Sequence, residues 1–149
     1  LSITINLDSE DATNALAGKL AGRARIGDVL ALQGDLGTGK TVFARAFIRA
    51  VCGAETEVPS PTFTLLQVYD DAETPIYHFD LYRLETSDEA LELGIDDAFA
   101  EGISLIEWPE RLGNLLPATC LRLTFSHADR TDAREVRISG WDDREVDLT

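Results

Sequence analysis

Two cysteines, two histidines, two lysines and five prolines are all that the 149 residues contain of these types. Each scarcity removes a class of function. Cys52 and Cys120 stand too far apart for a C-x-x-C pair, so both read as small core residues of a reducing compartment. His78 and His127 are too few and too scattered to build a zinc site. No apolar run approaches the ~18 residues that a membrane-spanning helix needs. Residues 1–25 alternate apolar and polar, which excludes the charged head and apolar stretch of a signal peptide, and a cytoplasmic protein is expected. Asparagine occurs only at positions 6, 14 and 114, never before lysine, so the N-K-x-D guanine-reading pattern of GTPase switches is missing. Positive charge is short too: 13 basic residues face 27 acidic ones, for a net charge of −14. Such a chain is repelled by bare nucleic acid, which binds through neutralised phosphates. If it works on RNA, it does so indirectly, through a more basic partner. The alternative is that the acidity only keeps it soluble.

What the chain has is one octapeptide. Residues 34–41 read Gly-Asp-Leu-Gly-Thr-Gly-Lys-Thr, a complete G-x-x-x-x-G-K-[ST] phosphate-binding loop. Before it runs the apolar stretch 28–33, suited to a buried strand. After it come Phe43, Ala46, Phe47, Ala50 and Val51, spaced as one face of a helix. Strand, glycine loop and helix form the context that the motif needs. Gly34, Gly37 and Gly39 let the backbone approach a ligand without a Cβ in the way. The amides of Asp35, Leu36, Gly37, Thr38 and Gly39 then point at phosphate, aided by the partial positive charge of the helix start. Lys40 reaches the β- and γ-phosphates, and Thr41 sets a hydroxyl where Mg²⁺ sits. Eleven of the 13 basic residues are arginine, yet this position holds lysine, the flexible point charge rather than the planar fork.

An apolar content of 44% and this length fit one domain across residues 1–149. Ser2–Leu7 alternates as a first strand, and Asp8 or Ser9 caps a helix reaching about Arg25. A helix over 40–52 ends at Gly53. Runs 62–70 and 76–84 predict a hairpin, which makes the sheet mixed rather than wholly parallel. Thr86 and Glu89 predict a capping box for a short helix ending near Gly94, and 95–101 a further short turn. Residues 103–107 form a buried-type strand stopped at Trp108-Pro109, because the residue before proline is driven extended. Runs 121–125 and 135–139 close the sheet as an antiparallel pair. The expected class is α/β: a single P-loop NTPase domain with a mixed sheet including a β-hairpin, and helices on both faces.

A phosphate loop needs an acid at a neighbouring strand end to hold Mg²⁺ or its waters. Asp80 and Glu107 compete; Glu107 ends its strand, where open α/β sheets put their crevice, and spacing favours it slightly. Either could equally be an acid on a solvated strand face. Ser60-Pro61-Thr62-Phe63-Thr64 has hydroxyls that suit a switch loop, or it is a proline-bounded lead-in to a strand. Trp108 is a core aromatic or a cover for the nucleotide. Arg83 and Arg111 are candidate transition-state cations, or surface arginines. A small-molecule kinase of the P-loop class is the chief rival to an ATPase, but no arginine-rich lid follows the loop. A module that holds nucleotide without turning it over is a further, non-enzymatic alternative.

The segments Gly-Asp-Leu-Gly-Thr-Gly-Lys-Thr (34–41), Ser-Pro-Thr-Phe-Thr-Leu (60–65), His-Phe-Asp-Leu-Tyr-Arg-Leu (78–84) and Ile-Glu-Trp-Pro-Glu (106–110) together resemble the bacterial TsaE (YjeE) family. The resemblance covers about residues 8–117. It implies a Mg²⁺-dependent ATPase, weak alone, required to make threonylcarbamoyladenosine in tRNA. It implies TsaB and TsaD as partner proteins, with TsaD carrying the transfer chemistry and ATP hydrolysis resetting the assembly. By position, Lys40, Asp80 and Glu107 match the family's catalytic residues, and Thr41 with Glu107 its metal site. Thr62 and Thr64 match the switch-like segment, Trp108 a tryptophan near the nucleotide, and Glu10 a flank of the adenine. The family's basic residue in the C-terminal loop has two counterparts, Arg130 and Arg134, without clear register. The stretch after Trp141 matches nothing in it.

Overall fold

In the computed structural model, residues 1–130 and 133–148 are described. The chain is built around β2 (Val29–Gln33). Its first four residues are all buried, as a strand covered on both faces requires, and both of its neighbours run parallel to it. They are β5 (Ile103–Glu107) on one side and β6 (Leu121–His127) on the other. Outward from β5 lies β4 (Ile76–Asp80), also parallel, and then β3 (Leu66–Tyr69), antiparallel. Outward from β6 lie β7 (Arg134–Ser139) and β1 (Ser2–Leu7), each antiparallel to its neighbour. The order is β1-β7-β6-β2-β5-β4-β3. Four parallel strands with antiparallel edges make the mixed sheet that the hairpin predicts.

Alternation along β2 divides the core. Leu30 and Leu32 face the layer of α1 (Glu10–Ala21) and α2 (Lys40–Cys52), where Leu16, Leu20, Phe43 and Phe47 pack. Val29 and Ala31 face α3 (Asp88–Glu92) and α4 (Ile95–Glu101), through Ala90, Ile95 and Ala98. Phe43 and Phe47 are fully buried, and each contributes roughly 1.5–3 kcal/mol by area. Both cysteines are free thiols, Cys120 buried and Cys52 half-buried. Among the described residues no helix is long and apolar enough to cross a membrane.

Several element ends differ from expectation. Ser9 caps α1, accepting from the Ala12 amide at 3.2 Å, but the helix stops at Ala21, where the Arg23 and Ala24 amides turn to the Leu20 and Ala21 carbonyls at 3.1 and 3.4 Å. Residues 62–65 leave the strand: the Leu65 amide donates to the Pro61 carbonyl (2.7 Å), and Leu65 adopts φ 67°. Residues 81–84 turn as well, with the Leu84 amide on the Leu81 carbonyl at 3.1 Å. The capping box does not form. α3 starts one residue later with no side-chain cap bond, and Glu89 reaches the Glu85 amide at 3.4 Å. Residues 95–101 are a true helix, entered through Gly94 at φ 82°. Trp108 is not extended but left-handed, φ 60° and ψ 52°. A conformation of that kind costs on the order of 1–3 kcal/mol in a residue with a side chain, and its packing, described below, holds it there.

Candidate active site

Parallel strands bring their carboxyl ends to one edge, and register decides which side chains meet. Leu32 is opposite Glu107, and Glu107 is opposite Asp80. Both acids therefore close their strands side by side, about one strand spacing of 4.8 Å apart in the backbone, on the face covered by α2. The phosphate loop leaves β2 at the same edge and runs into α2.

The loop keeps its shape through its glycines. Gly34 (φ 146°) leaves no room for a Cβ, which would fall 2.5 Å from the Phe125 carbonyl oxygen and 2.7 Å from Thr38 Oγ1. Gly37 (φ 79°) has open space where a Cβ would be, so its backbone can be approached closely. Thr38 ties the turn by donating to the Asp35 carbonyl at 2.7 Å. Gly39 caps α2 in a left-handed conformation with no side-chain cap bond, which leaves the helix-start amides for a ligand.

Lys40 and Thr41, the first two residues of α2, point into the cleft. Lys40 Nζ donates to the Gly34 carbonyl at 2.5 Å and lies 3.5 Å from the centroid of the Trp108 ring. Burial lowers its pKa from the ordinary lysine value, against the opposing pull of Glu107, Glu110, Asp80 and Asp35. The Thr41 hydroxyl donates to Glu107 Oε1 at 2.8 Å. Glu107 Oε2 lies 2.7 Å from His78 Nε2, with both side chains buried. Asp80 accepts from Thr62 Oγ1 (3.1 Å) on one oxygen and from the Tyr82 amide (3.1 Å) on the other. Ser60 Oγ lies 2.8 Å from Thr62 Oγ1, extending this chain of hydroxyls outward. The left-handed turn at Trp108 aims its indole at Lys40 and packs it against Tyr82, ring centroids 4.9 Å apart and planes tilted by 52°.

Lys40, Thr41, Thr62, Asp80, Glu107 and Trp108 line a cleft of about 250 Å³ that also takes in Leu36, Gly37, Gly39, Val42 and Arg134. A second cleft, about 370 Å³, shares Gly39, Val42 and Arg134 with it and is bounded by Asp8, Ser9, Glu10 and Thr13. Glu10 is thus set beside the loop, not within the first cleft. Thr64 is not brought in; its hydroxyl accepts from Gln67 at 3.1 Å on the exposed side. The two arginines of open register part company. Arg134 reaches over the loop to the Gly37 carbonyl (3.1 Å), whereas Arg130 pairs with Asp8 at 3.1 Å. Arg83 lies over the exposed Phe63 ring, 4.4 Å from its centroid, and Arg111 stands 6.0 Å from that of Tyr82. Sequence reasoning missed His78 as a site residue, although its place two residues before Asp80 puts both on one strand face.

The donor set suits a small hard cation. Among the described residues no group of three His, Cys, Asp or Glu is arranged to hold a metal. Magnesium asks for less than that: one or two protein oxygens, with phosphates and water supplying the rest. The Thr41 hydroxyl and the Glu107 carboxylate, already 2.8 Å apart at the loop mouth, are such a pair.

Fold and site together define a P-loop protein of the mixed-sheet α/β class. The model of the family described as "Threonylcarbamoyl adenosine biosynthesis protein TsaE" matches residues 7–136. The chain belongs to the TsaE family. It is 42% identical over 123 residues to the tRNA threonylcarbamoyladenosine biosynthesis protein TsaE of Rickettsia conorii, covering 83% of this chain and 70% of that one. To the protein of the same name from Bacillus subtilis it is 39% identical over 135 residues, 90% of this chain and 83% of the other. The crystal structure of Bacillus subtilis YdiB superposes with a TM-score of 0.80 at 31% identity, over 96% of this chain and 88% of that one.

Proposed function

We propose that the protein is a Mg²⁺-dependent ATPase of the cytoplasm that serves threonylcarbamoyladenosine biosynthesis on tRNA, working with the TsaD and TsaB proteins. The observation that carries this reading is the Lys40–Thr41–Glu107 constellation at the mouth of a glycine loop, with Thr41 and Glu107 in contact at 2.8 Å. Main-chain amides of residues 35–39 would bind the phosphate tail, and Lys40 would move from the Gly34 carbonyl to the β- and γ-phosphates. Magnesium, when bound by Thr41 and Glu107, would offset charge building on the phosphates. Asp80 stands beside Thr62 and, as the second acid of the cleft, is assigned to catalysis. Trp108, against Lys40, and Arg134, bonded to the Gly37 carbonyl, would flank the bound phosphates. Glu10 and its cleft are the proposed flank of the adenine. Membership of the TsaE family supports the pathway and the partners, and the acidity of the chain fits a component that reaches tRNA only through them.

Phosphate release from ATP, with no small acceptor present, tests the activity. It is expected to be slow in the isolated protein and to change when TsaD and TsaB are added. Glu107→Gln is expected to slow it by about a hundredfold, the usual effect of removing one group that stabilises developing charge. Hydrolysis by Glu107→Gln at the wild-type rate would refute the assignment.

A further inference from the structure

One buried polar group has no part in the scheme above. His78 is fully buried on β4, with Nε2 2.7 Å from Glu107 Oε2, and its other ring nitrogen, Nδ1, has no partner among the described residues. Register explains how the two side chains meet. His78 is opposite Leu105, so Glu107, two residues further along β5, is its diagonal neighbour on the same face, within reach of two long side chains.

The unpartnered nitrogen identifies the tautomer. A proton on Nδ1 would leave a buried N–H without an acceptor and turn the Nε2 lone pair toward a carboxylate oxygen. A proton on Nε2 gives Glu107 a donor and leaves only a bare lone pair unpaired, the smaller penalty. An apolar side chain would fill this layer without any orphaned atom, so what the histidine supplies is the donor.

We propose that His78 is the positioning residue of Glu107. Its Nε2–H holds Oε2 and so keeps Oε1 turned to Thr41 and the loop mouth. The second carboxylate oxygen is thereby presented as a fixed cation ligand, in the way hydrogen bonds from behind orient metal-binding carboxylates. The inference rests on the magnesium-nucleotide reading of the cleft and deepens it.

Calorimetric titration of wild type, His78→Leu and His78→Gln with ATP, in EDTA and in magnesium, tests it. His78→Leu is expected to bind ATP in EDTA within about twofold of wild type and to lose about tenfold or more of the affinity that magnesium adds. His78→Gln, whose amide N–H reaches the same oxygen, is expected to recover most of that gain. An equal magnesium gain in wild type and His78→Leu overturns the role of His78. Failure of the wild type itself to bind ATP overturns the nucleotide reading instead. Nitrogen-15 spectra of the wild-type protein without nucleotide provide a measurement that needs no folded variant. The Nε2–H tautomer is expected, and an Nδ1–H tautomer sinks the proposal.

Discussion

Lys40 carries its charge where little water reaches it, 4% exposed between its own loop and the Trp108 ring. Burial pulls its pKa below 10.5, and the surrounding acids only partly restore it. Between the folded-state value and 10.5 the unfolded chain binds more protons than the folded one, so stability rises with pH in that window. Below it, the folded protein bears the cost of an enclosed ammonium. Lys40→Met removes that charge at similar volume, but it also removes the contact to the Gly34 carbonyl. The pH slope, not the absolute melting temperature, is therefore decisive. Relative to Lys40→Met, the wild type is expected to gain stability as pH climbs toward 10.5; thermal melts at several alkaline pH values check this, and a relative loss contradicts it. The lysine itself is legible in the sequence, because the loop motif names it. Its cover is not. A residue before proline is expected to be extended, and nothing in Glu107-Trp108-Pro109 announces a left-handed tryptophan held by Lys40, Tyr82 and the neighbouring core.

Elements were readable where their signal is local and failed where a distant contact decides. Residues 29–33 and 103–107 are short apolar runs, and both are buried parallel strands as expected. Residues 62–70 alternate well enough to pass as a strand over their whole length. Yet the first four fold back, with the Leu65 carbonyl taking the Asp80 amide at 3.0 Å and Thr62 its carboxylate. That turn brings the switch-like threonine to the acid, and it arises from β4, which follows in sequence. The segment after Trp141 was unreadable for the same reason. Trp141 is buried, Val146 and Leu148 pack against the core of α1 and α2, and Arg144 grips both oxygens of Asp28 at 2.6 and 3.0 Å. A third bond, from Arg144 to the Arg23 carbonyl at 2.9 Å, ties in the loop that follows α1. The strap thus fastens the two ends of the α1–β2 connection, far from the phosphate loop. Arg144→Met is expected to destabilise the fold by about 2–3 kcal/mol, the loss typical of hydrogen bonds to charged groups. Denaturant melts measure that cost, and ATP affinity in the folded variant is expected to stay at the wild-type level.

At the scale of the whole molecule, sheet and charge divide the work. The central parallel strands gather the loop, Asp80 and Glu107 at one edge, so the site depends on topology that local sequence patterns reveal only in part. β1 and β7 add breadth to the sheet without adding an acid to the cleft. Charge works at longer range. With a net −14 and a pI near 4.3, the surface repels polyanions, and the arginines near the cleft are engaged: Arg134 with the loop, Arg83 with Phe63, Arg130 with Asp8. RNA association gains most of its strength from phosphates neutralised by Lys and Arg, and it weakens steeply with salt. A chain with so few basic groups should show little binding even where such contacts are strongest. The isolated protein is therefore expected not to retard a tRNA in gel-shift assays at low salt, about 50 mM. Retention is expected only once the TsaD and TsaB proteins are added. A salt-sensitive shift by the protein alone would show that a basic surface outweighs the overall charge, and the role of partners in bringing it to tRNA would have to be abandoned.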